Sequence, residues 1–344
     1  MTAKDYLKPK QKLSFVIPVY NGSKTIREVV SDILANFPVN IEIILVNDGS
    51  KDNSEFICKS LVKANPMKVR YVHLARNFSE HNAVLAGLNT ATGDYIAVLD
   101  DDGQNPPKEI LPMLDKLVED DLDVVYGYFS SKKHSNFRNL GSQFNSWIAS
   151  YMLKKPKGLY LSSFKVMNRF MVDEIKKYKG SFPYIDGLIF RSTNRIDQIS
   201  VGHEERKDGQ SGYTLTKLIK LWFNMFLNFS IAPLRLMIIA GLITSLLSLA
   251  LLAIVIVEKL LNADYPIGIP SVLVSISFFA GMQLILTGVI GEYLGRLFLD
   301  QSGTPQYVIR YIDSGDSSSL ESHTSEENKN VAIRRNQMDR VPIN

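Results

Sequence analysis

Apolar and polar positions alternate with two different periods along the first part of the chain. Short β-rich runs, LSFVIP (13–18), IEIILVN (41–47), VRYVHL (69–74), YIAVLD (95–100) and DVVYG (123–127), are separated by longer stretches with helical spacing. Strand–helix alternation of this kind predicts a mostly parallel sheet covered by helices, an α/β domain with a Rossmann-like core. In such a sheet the ligand lies beyond the carboxyl ends of the strands, so the residues that follow each strand carry the most information.

Further along, the pattern changes. Leu236 to Val257 is a run of 22 residues without a charge, and Ile267 to Ile290 is another of 24. About 20 apolar residues in a helix cross a hydrocarbon layer of roughly 30 Å. Both runs are apolar all round, whereas a soluble helix is striped. The nine residues between them, Glu258 to Pro266, are too few for a domain, so the pair reads as a helical hairpin within 231–299. Lys217, Lys220 and Arg235 precede the first span, and Arg296 and Arg310 follow the second. The connection holds Lys259 against Glu258 and Asp264. The positive-inside bias therefore predicts a multi-pass protein of the inner (cytoplasmic) membrane, with both termini and the α/β domain cytoplasmic.

Composition changes the picture little, because the parts cancel. Of 344 residues 45% are hydrophobic, the formal charge is +4 and the mean hydropathy is −0.01, which excludes a disordered or collagen-like chain. One cysteine, Cys58, excludes an internal disulfide and a Cys-rich metal site. The segment 300–344 reads as a cytoplasmic tail, disordered after about 311, with six acids and four bases from Tyr311 onward.

Four polar clusters follow the predicted strands: Tyr20-Asn21-Gly22, Asp48-Gly49-Ser50, Arg76-Asn77 and Asp100-Asp101-Asp102-Gly103-Gln104. Three consecutive aspartates repel one another unless something cationic joins them. Asp100 and Asp102 point to one side of an extended chain and Gln104 adds a neutral oxygen. This all-oxygen set suits Mg²⁺ or Mn²⁺, which keep positions open for phosphates. The alternative is a solvated acidic turn that caps the following helix. Asp48 suits a ribose hydroxyl or a base N–H, or else an Asx turn; Arg76-Asn77 suits a phosphate or a neighbouring carboxylate. No Gly-x-Gly-x-x-Gly follows a strand, and neither a Walker loop nor Gly-x-Ser-x-Gly occurs.

Between Asp123 and Asp173 there is no acid and there are eight bases, among them Arg138, Lys154 and Lys165. Phe144, Trp147, Ile148 and Tyr151 recur at helical spacing, so about 140–155 reads as a basic amphipathic helix on an anionic membrane; 214–230 repeats the pattern before the first span. Basic charge with aromatics also suits nucleic acid, but the adjoining spans favour lipid, and no nucleic-acid partner is expected. Arg206, on a Gly-rich loop, suits a diphosphate.

The motifs VIPVYN (16–21), VNDGS (46–50), ARNFSEHNAVLAGL (75–88), GDYIAVLDDDGQNPP (93–107), NFRNLGSQF (136–144), HEERKDGQSGYT (203–214) and GEYLGRLF (291–298) resemble the polyprenyl-phosphate glycosyltransferases of glycosyltransferase family 2. The resemblance extends over about 13–310. It implies a GT-A fold in a domain of about 1–213, a nucleotide-sugar donor (a UDP-sugar favoured), a polyprenyl (undecaprenyl) phosphate acceptor and a homo-oligomer. It places Pro18, Tyr20 and Asp48 at the nucleoside, with Asn21, Arg76, Asn77 and Asp101 beside the donor. Asp100, Asp102 and Gln104 take the metal, Arg138, Ser142 and Lys165 the lipid phosphate, and Arg206 the diphosphate. Asp100, Asp102 and Arg138 carry the catalytic roles.

Three departures from that pattern stand out. The family often has Glu where Gly22 stands, which removes a contact near the nucleoside. Its Ser-Lys-Tyr is here Ser211-Gly212-Tyr213, which leaves Lys207 or Lys217 for the phosphate. Many relatives carry Arg at Lys165 and an acid at Ser163, so no carboxylate stands at 163 to act as a base. The reaction implied is inverting attack by the lipid phosphate on the anomeric carbon, giving a sugar lipid for cell-envelope glycans such as lipopolysaccharide. The alternatives are a processive polysaccharide synthase, which carries Gln-x-x-Arg-Trp and more spans, and a non-catalytic membrane scaffold.

Overall fold

The computed structural model describes residues 11–37, 39–129, 156, 158–202, 232–261 and 268–315. The amphipathic segments expected at 140–155 and 214–230 lie outside the described residues. The chain divides into two compact units. One comprises Met1–Ser150, Lys154–Ser211 and Pro305–Asn344, and the other Tyr151–Leu153 and Gly212–Thr304.

The first unit is built on β1 (Leu13–Val19), α1 (Ile26–Asn36), β2 (Ile41–Asn47), α2 (Ser54–Ala64), β3 (Val69–Leu74), α3 (Glu80–Thr90) and β4 (Tyr95–Val98). A 3₁₀ turn then leads into α4 (Ile110–Glu119), followed by β5 (Val124–Phe129), β6 (Lys165–Asn168), α5 (Arg169–Lys176), α6 (Ile185–Ser192) and β7 (Ile196–Val201). The last strand, β8 (Ile309–Asp313), comes after the second unit in sequence. The eight strands form one sheet in the order β7-β5-β6-β4-β1-β2-β3-β8.

β1 runs parallel to both β2 and β4, with Leu13 opposite Ile41 on one side and Tyr95 on the other. Sequential strands therefore move outward from β1 in one direction as far as β3, and β4 starts again on its other side. That reversal opens a crevice at the carboxyl ends of β1 and β4. The central strands are near-continuous apolar runs because helices cover both faces: every residue of β2 is buried, and only Pro18 of β1 is not. α3 crosses closely at Gly87, where a Cβ would lie 2.4 Å from Val16 Cγ1.

The sheet is more mixed than alternation predicts. β6 is antiparallel to β4 and β5, and β8 is antiparallel to β3. The order expected to end at about 311 extends through this strand. Its residues IRYID pair with β3, Tyr311 stacks on His73 with centroids 5.0 Å apart, and Tyr311 OH donates to Glu55 at 2.8 Å. Gln306 Nε2 donates to the carbonyls of Tyr178 and Gly180 at 3.0 and 2.8 Å.

At the amino ends of the strands, Glu42 is 2% exposed. It receives Lys12 Nζ at 2.8 Å, Ser14 Oγ at 2.6 Å, and Thr92 N and Gly93 N at 2.6 and 3.2 Å. These donors hold its carboxyl down at about 2 against the cost of burial.

The second unit contains α7 (Ala232–Leu261, 30 residues) and α8 (Ile269–Gln301, 33 residues). Together they contain nearly all of both predicted spans. Among the described residues one stretch, Phe278–Gln301, is long and apolar enough to cross a membrane, and none of it is buried. An unburied apolar helix is unlike the core helix of a soluble domain.

Candidate active site at the carboxyl edge of the sheet

Four loops and one strand start meet at the crevice. β1 delivers Tyr20-Asn21-Gly22, and its ladder with β4 ends at Val98. Pro18 faces the same side as Val16, whose carbonyl accepts Leu99 N at 3.3 Å. The donor that proline lacks therefore points to where β4 has already departed. The polar residues on the two sides of this gap bond to each other: Asp101 Oδ2 accepts the Tyr20 N–H at 3.0 Å.

The loop after β1 is tied to the next loop as well. Asn21 N donates to Ser50 Oγ at 3.0 Å, Lys51 N to Asn21 Oδ1 at 2.9 Å, and Ser23 N to Asp52 Oδ2 at 3.0 Å. Asn21 adopts a φ of 57°, a conformation asparagine tolerates. With its backbone so held, the Tyr20 side is left 49% exposed at the crevice.

Asp48 is 3% exposed and links two loops rather than standing open. Its Oδ1 accepts Phe78 N at 2.7 Å, and its carbonyl accepts Asn77 Nδ2 at 3.0 Å. Burial nevertheless raises its carboxyl above the ordinary range. Gly49 has a φ of +66° and lies so close to Asn77 N that a Cβ would approach it to 2.6 Å, so glycine is required here on both counts. Arg76 lies over the Phe78 ring, 4.7 Å from its centroid.

The aspartate turn after β4 carries three different environments. Asp100 Oδ2 accepts Ser163 Oγ at 2.5 Å and Asn105 Nδ2 at 3.1 Å. Burial and the neighbouring Asp102 still raise its carboxyl. Asp101 is pushed up to about 7 by burial and by Asp100 and Asp102, against the Tyr20 N–H. Asp102 Oδ1 accepts the backbone N–H of Gln104 at 3.1 Å.

Below this turn lies a polar group the sequence did not disclose. Lys165, expected at the lipid phosphate, is 4% exposed and donates to Asp186 Oδ1 in a short contact, with its Nζ 5.0 Å from the Tyr126 centroid. Tyr126 OH donates to the same Asp186 oxygen at 2.9 Å, and burial and this carboxylate raise its phenol. Glu80, at the start of α3, is reached by solvent yet walled by protein. Burial, then the charge of Asp100, pushes its carboxyl up to about 7. The next residue, His81, packs edge-on against Tyr184 at 4.8 Å, and burial lowers its imidazole to about 4.

The structure thus bonds Tyr20 to Asp101, Asn21 to the Ser50–Lys51 loop and Asn77 to Asp48, and puts Asp100, Asp102 and Gln104 on one turn. Arg138, Ser142, Arg206, Lys207, Gly212 and Lys217 lie outside the described residues. Glu80, Asn105 and Ser163 lie beside the aspartate turn, and nothing in their local sequence assigns them a role. Asp186 had no local signal, because only β6 and α6 together reveal its partner. Among the described residues no three His, Cys, Asp or Glu side chains form a ready-made metal cluster.

The sequence model of Glycosyl transferase family 2 matches residues 14–175. The chain is 31% identical over 311 residues to the undecaprenyl-phosphate 4-deoxy-4-formamido-L-arabinose transferase of Serratia proteamaculans, covering 89% of this chain and 95% of the relative. It is 32% identical over 307 residues to the enzyme of the same name from Yersinia enterocolitica, covering 88% and 94%. A solved structure, glucosyl-3-phosphoglycerate synthase from Mycobacterium tuberculosis in complex with Mn2+ and uridine-diphosphate-glucose, aligns with TM-score 0.46 at 19% identity, over 63% of this chain and 78% of that one.

Proposed function

The chain belongs to glycosyltransferase family 2, to its polyprenyl-phosphate enzymes, and from that premise we propose that it moves a sugar from a nucleoside diphosphate, UDP favoured, to undecaprenyl phosphate at the cytoplasmic membrane face with inversion at the anomeric carbon. The observation that carries this reading is the crevice at the β1/β4 reversal. There an exposed Tyr20, a buried Asp48 and the Asp100–Asp102 turn converge beyond the strand ends. The acceptor class follows from the activity of the relatives, which are undecaprenyl-phosphate transferases by name.

The donor set fits a divalent cation. Asp100, Asp101 and Glu80 all have raised carboxyls. The cation acting on Asp100 and Glu80, Lys165, is already held by Asp186. Asp100, Asp102 and Gln104 would hold Mg²⁺ or Mn²⁺, which supplies charge neutralisation to a leaving diphosphate when bound. The chain's own residues do the rest. Tyr20 and the Asp48 loop orient the nucleoside, Arg206 takes the diphosphate, and Arg138 and Ser142 take the lipid phosphate from the acid-free basic stretch. A phosphate oxygen is already ionised near neutral pH, so positioning and charge balance suffice without a strong base. α7 and α8 form the membrane hairpin, with the α/β unit on the cytoplasmic side.

The test is glycolipid formation from undecaprenyl phosphate and a panel of nucleotide sugars with Mg²⁺ or Mn²⁺. One donor is expected to give a polyprenyl-phosphate sugar, and Asp102→Ala to lose about a hundredfold or more in turnover at saturating donor. Absence of glycolipid with every donor would overturn the reading; near-wild-type turnover in Asp102→Ala would overturn the cation assignment.

A further inference from the structure

Gly22 is buried, and its φ lies outside the left-handed region, so its backbone does not call for glycine. What calls for it is the side chain opposite. A Cβ built on residue 22 would lie 2.3 Å from Asp101 Oδ2 and 2.9 Å from Asp101 Cγ. Approaches under 3.0 Å are not tolerated without displacement, and this carboxylate is not free to swing away, because the same Oδ2 accepts Tyr20 N at 3.0 Å. Gly22 is itself fixed: its carbonyl accepts the N–H groups of Thr25 and Ile26 at 3.1 and 3.0 Å, which starts α1.

We propose that Gly22 and Asp101 are a matched pair, in which the absent side chain at 22 admits the Asp101 carboxylate under the loop after β1, and that Asp101 thereby positions Tyr20 as the platform for the donor's nucleoside. Asp101 is then a positioning residue, not a ligand of the metal turn it sits in. The carboxylate that holds this loop comes from the other side of the crevice, on the β4 turn. The loop after β1 is held at three N–H groups, those of Tyr20, Asn21 and Ser23, by Asp101 from the β4 turn and by Ser50 and Asp52 from the loop after β2. Removal of the Asp101 contact frees the one member that carries an exposed ring.

The part of this inference that concerns the nucleoside rests on the donor reading above; the pairing of the two residues does not. Both are tested with the full chain in nanodiscs as Gly22→Ala, Asp101→Ala, Asp101→Asn and the Gly22→Ala/Asp101→Ala double variant. At a position with ordinary φ, Gly→Ala normally raises stability through the unfolded chain. Gly22→Ala is therefore expected to lower Tm in the wild-type background and to leave it unchanged or raise it in the Asp101→Ala background. A Tm loss of equal size in both backgrounds would overturn the pair.

For Tyr20, the probe is UDP binding with Mn²⁺, together with the split of donor KM against kcat. Asp101→Ala is expected to weaken UDP about five- to tenfold, the scale of one positioning hydrogen bond, with most of the loss in donor KM. Asp101→Asn, which keeps an oxygen acceptor for Tyr20 N, is expected to recover most of it. An Asp101→Asn variant as poor as Asp101→Ala would mean that the charge and not the acceptor matters, and would overturn the positioning role. If the wild-type chain binds neither UDP nor GDP, the donor reading falls, while the Tm comparison still decides on the pair.

Discussion

Glu42 offers the sharpest stability test, because structure fixes both the size and the pH dependence of its contribution. Its carboxylate sits 2% exposed at the amino end of β2, among Lys12, Ser14, Thr92 and Gly93. The fall of its pKa from 4.5 to about 2 means that folding favours the ionised form by about 3 kcal/mol. A depressed acid contributes fully above its unfolded value and loses that contribution as pH falls through its folded value. About 2 kcal/mol should therefore remain near pH 3.5, and almost nothing below pH 2.

Glu42→Gln keeps the shape and loses the charge. At neutral pH it should lower the Tm of the α/β unit by about 6–12 °C, at about 2–4 °C per kcal/mol for a unit of this size. The assay is thermal unfolding of wild type and variant in nanodiscs from neutral pH down to about pH 3. The gap should narrow as pH falls. Turnover below both transitions should be unchanged, since Glu42 lies at the sheet end opposite the crevice. A Tm within about 1 °C of wild type at neutral pH, or a gap independent of pH, would refute the reasoning.

Two further substitutions separate packing from chemistry. Lys165→Met strands Asp186 in a buried position and is expected to cost about 3–5 kcal/mol. Asp186→Asn in the same background should return part of the lost Tm, whereas a Lys165→Met chain with wild-type Tm would show that the pair is not buried. Gly87→Ala places a methyl 2.4 Å from Val16 Cγ1 and 3.1 Å from Val46 Cγ2, an overpacking worth about 1–3 kcal/mol. Val16→Ala should relieve it, and additive losses in the double variant would count against the contact.

The sequence revealed those features that depend on local order and hid those that depend on return paths. Four of the five strands read from periodicity start at the residue observed, because largely buried parallel strands are near-continuous apolar runs. The clusters after β1, β2, β3 and β4 were legible for the same reason: a parallel sheet puts the ends of its strands at one edge. β6 was not read, since KVMN is four residues with no alternation. β8 was hidden in a segment dominated by Ser, Asp and Glu, although Ile309, Tyr311 and Ile312 are its apolar members. The Lys165–Asp186 pair joins positions 21 residues apart through a strand and a helix, so no spacing rule reaches it. The family resemblance puts Asp101 beside the donor; its bond to Tyr20 and the room left by Gly22 are tertiary facts.

The two ends of the sheet treat the same chemistry in opposite ways. Glu42 and Asp101 are both acids largely removed from water, yet one carboxyl is held at about 2 and the other is pushed up to about 7. Burial acts in the same direction on both, so the partners make the difference. Glu42 has an ammonium group, hydroxyls and backbone N–H groups around it, while Asp101 has the N–H groups of Tyr20 and of its own backbone against two neighbouring aspartates. Asp100, with two donors on one oxygen, is still raised, and so is Glu80. Strain of this sign persists only where the surrounding fold is stable enough to hold it, and the satisfied network at the amino ends of β1, β2 and β4 anchors the strands that carry it. Among the described residues the fold thus gathers the raised acids Asp100, Asp101 and Glu80 at the edge where the strand order reverses. A divalent cation would be attracted there, and a donor diphosphate would complete the balance.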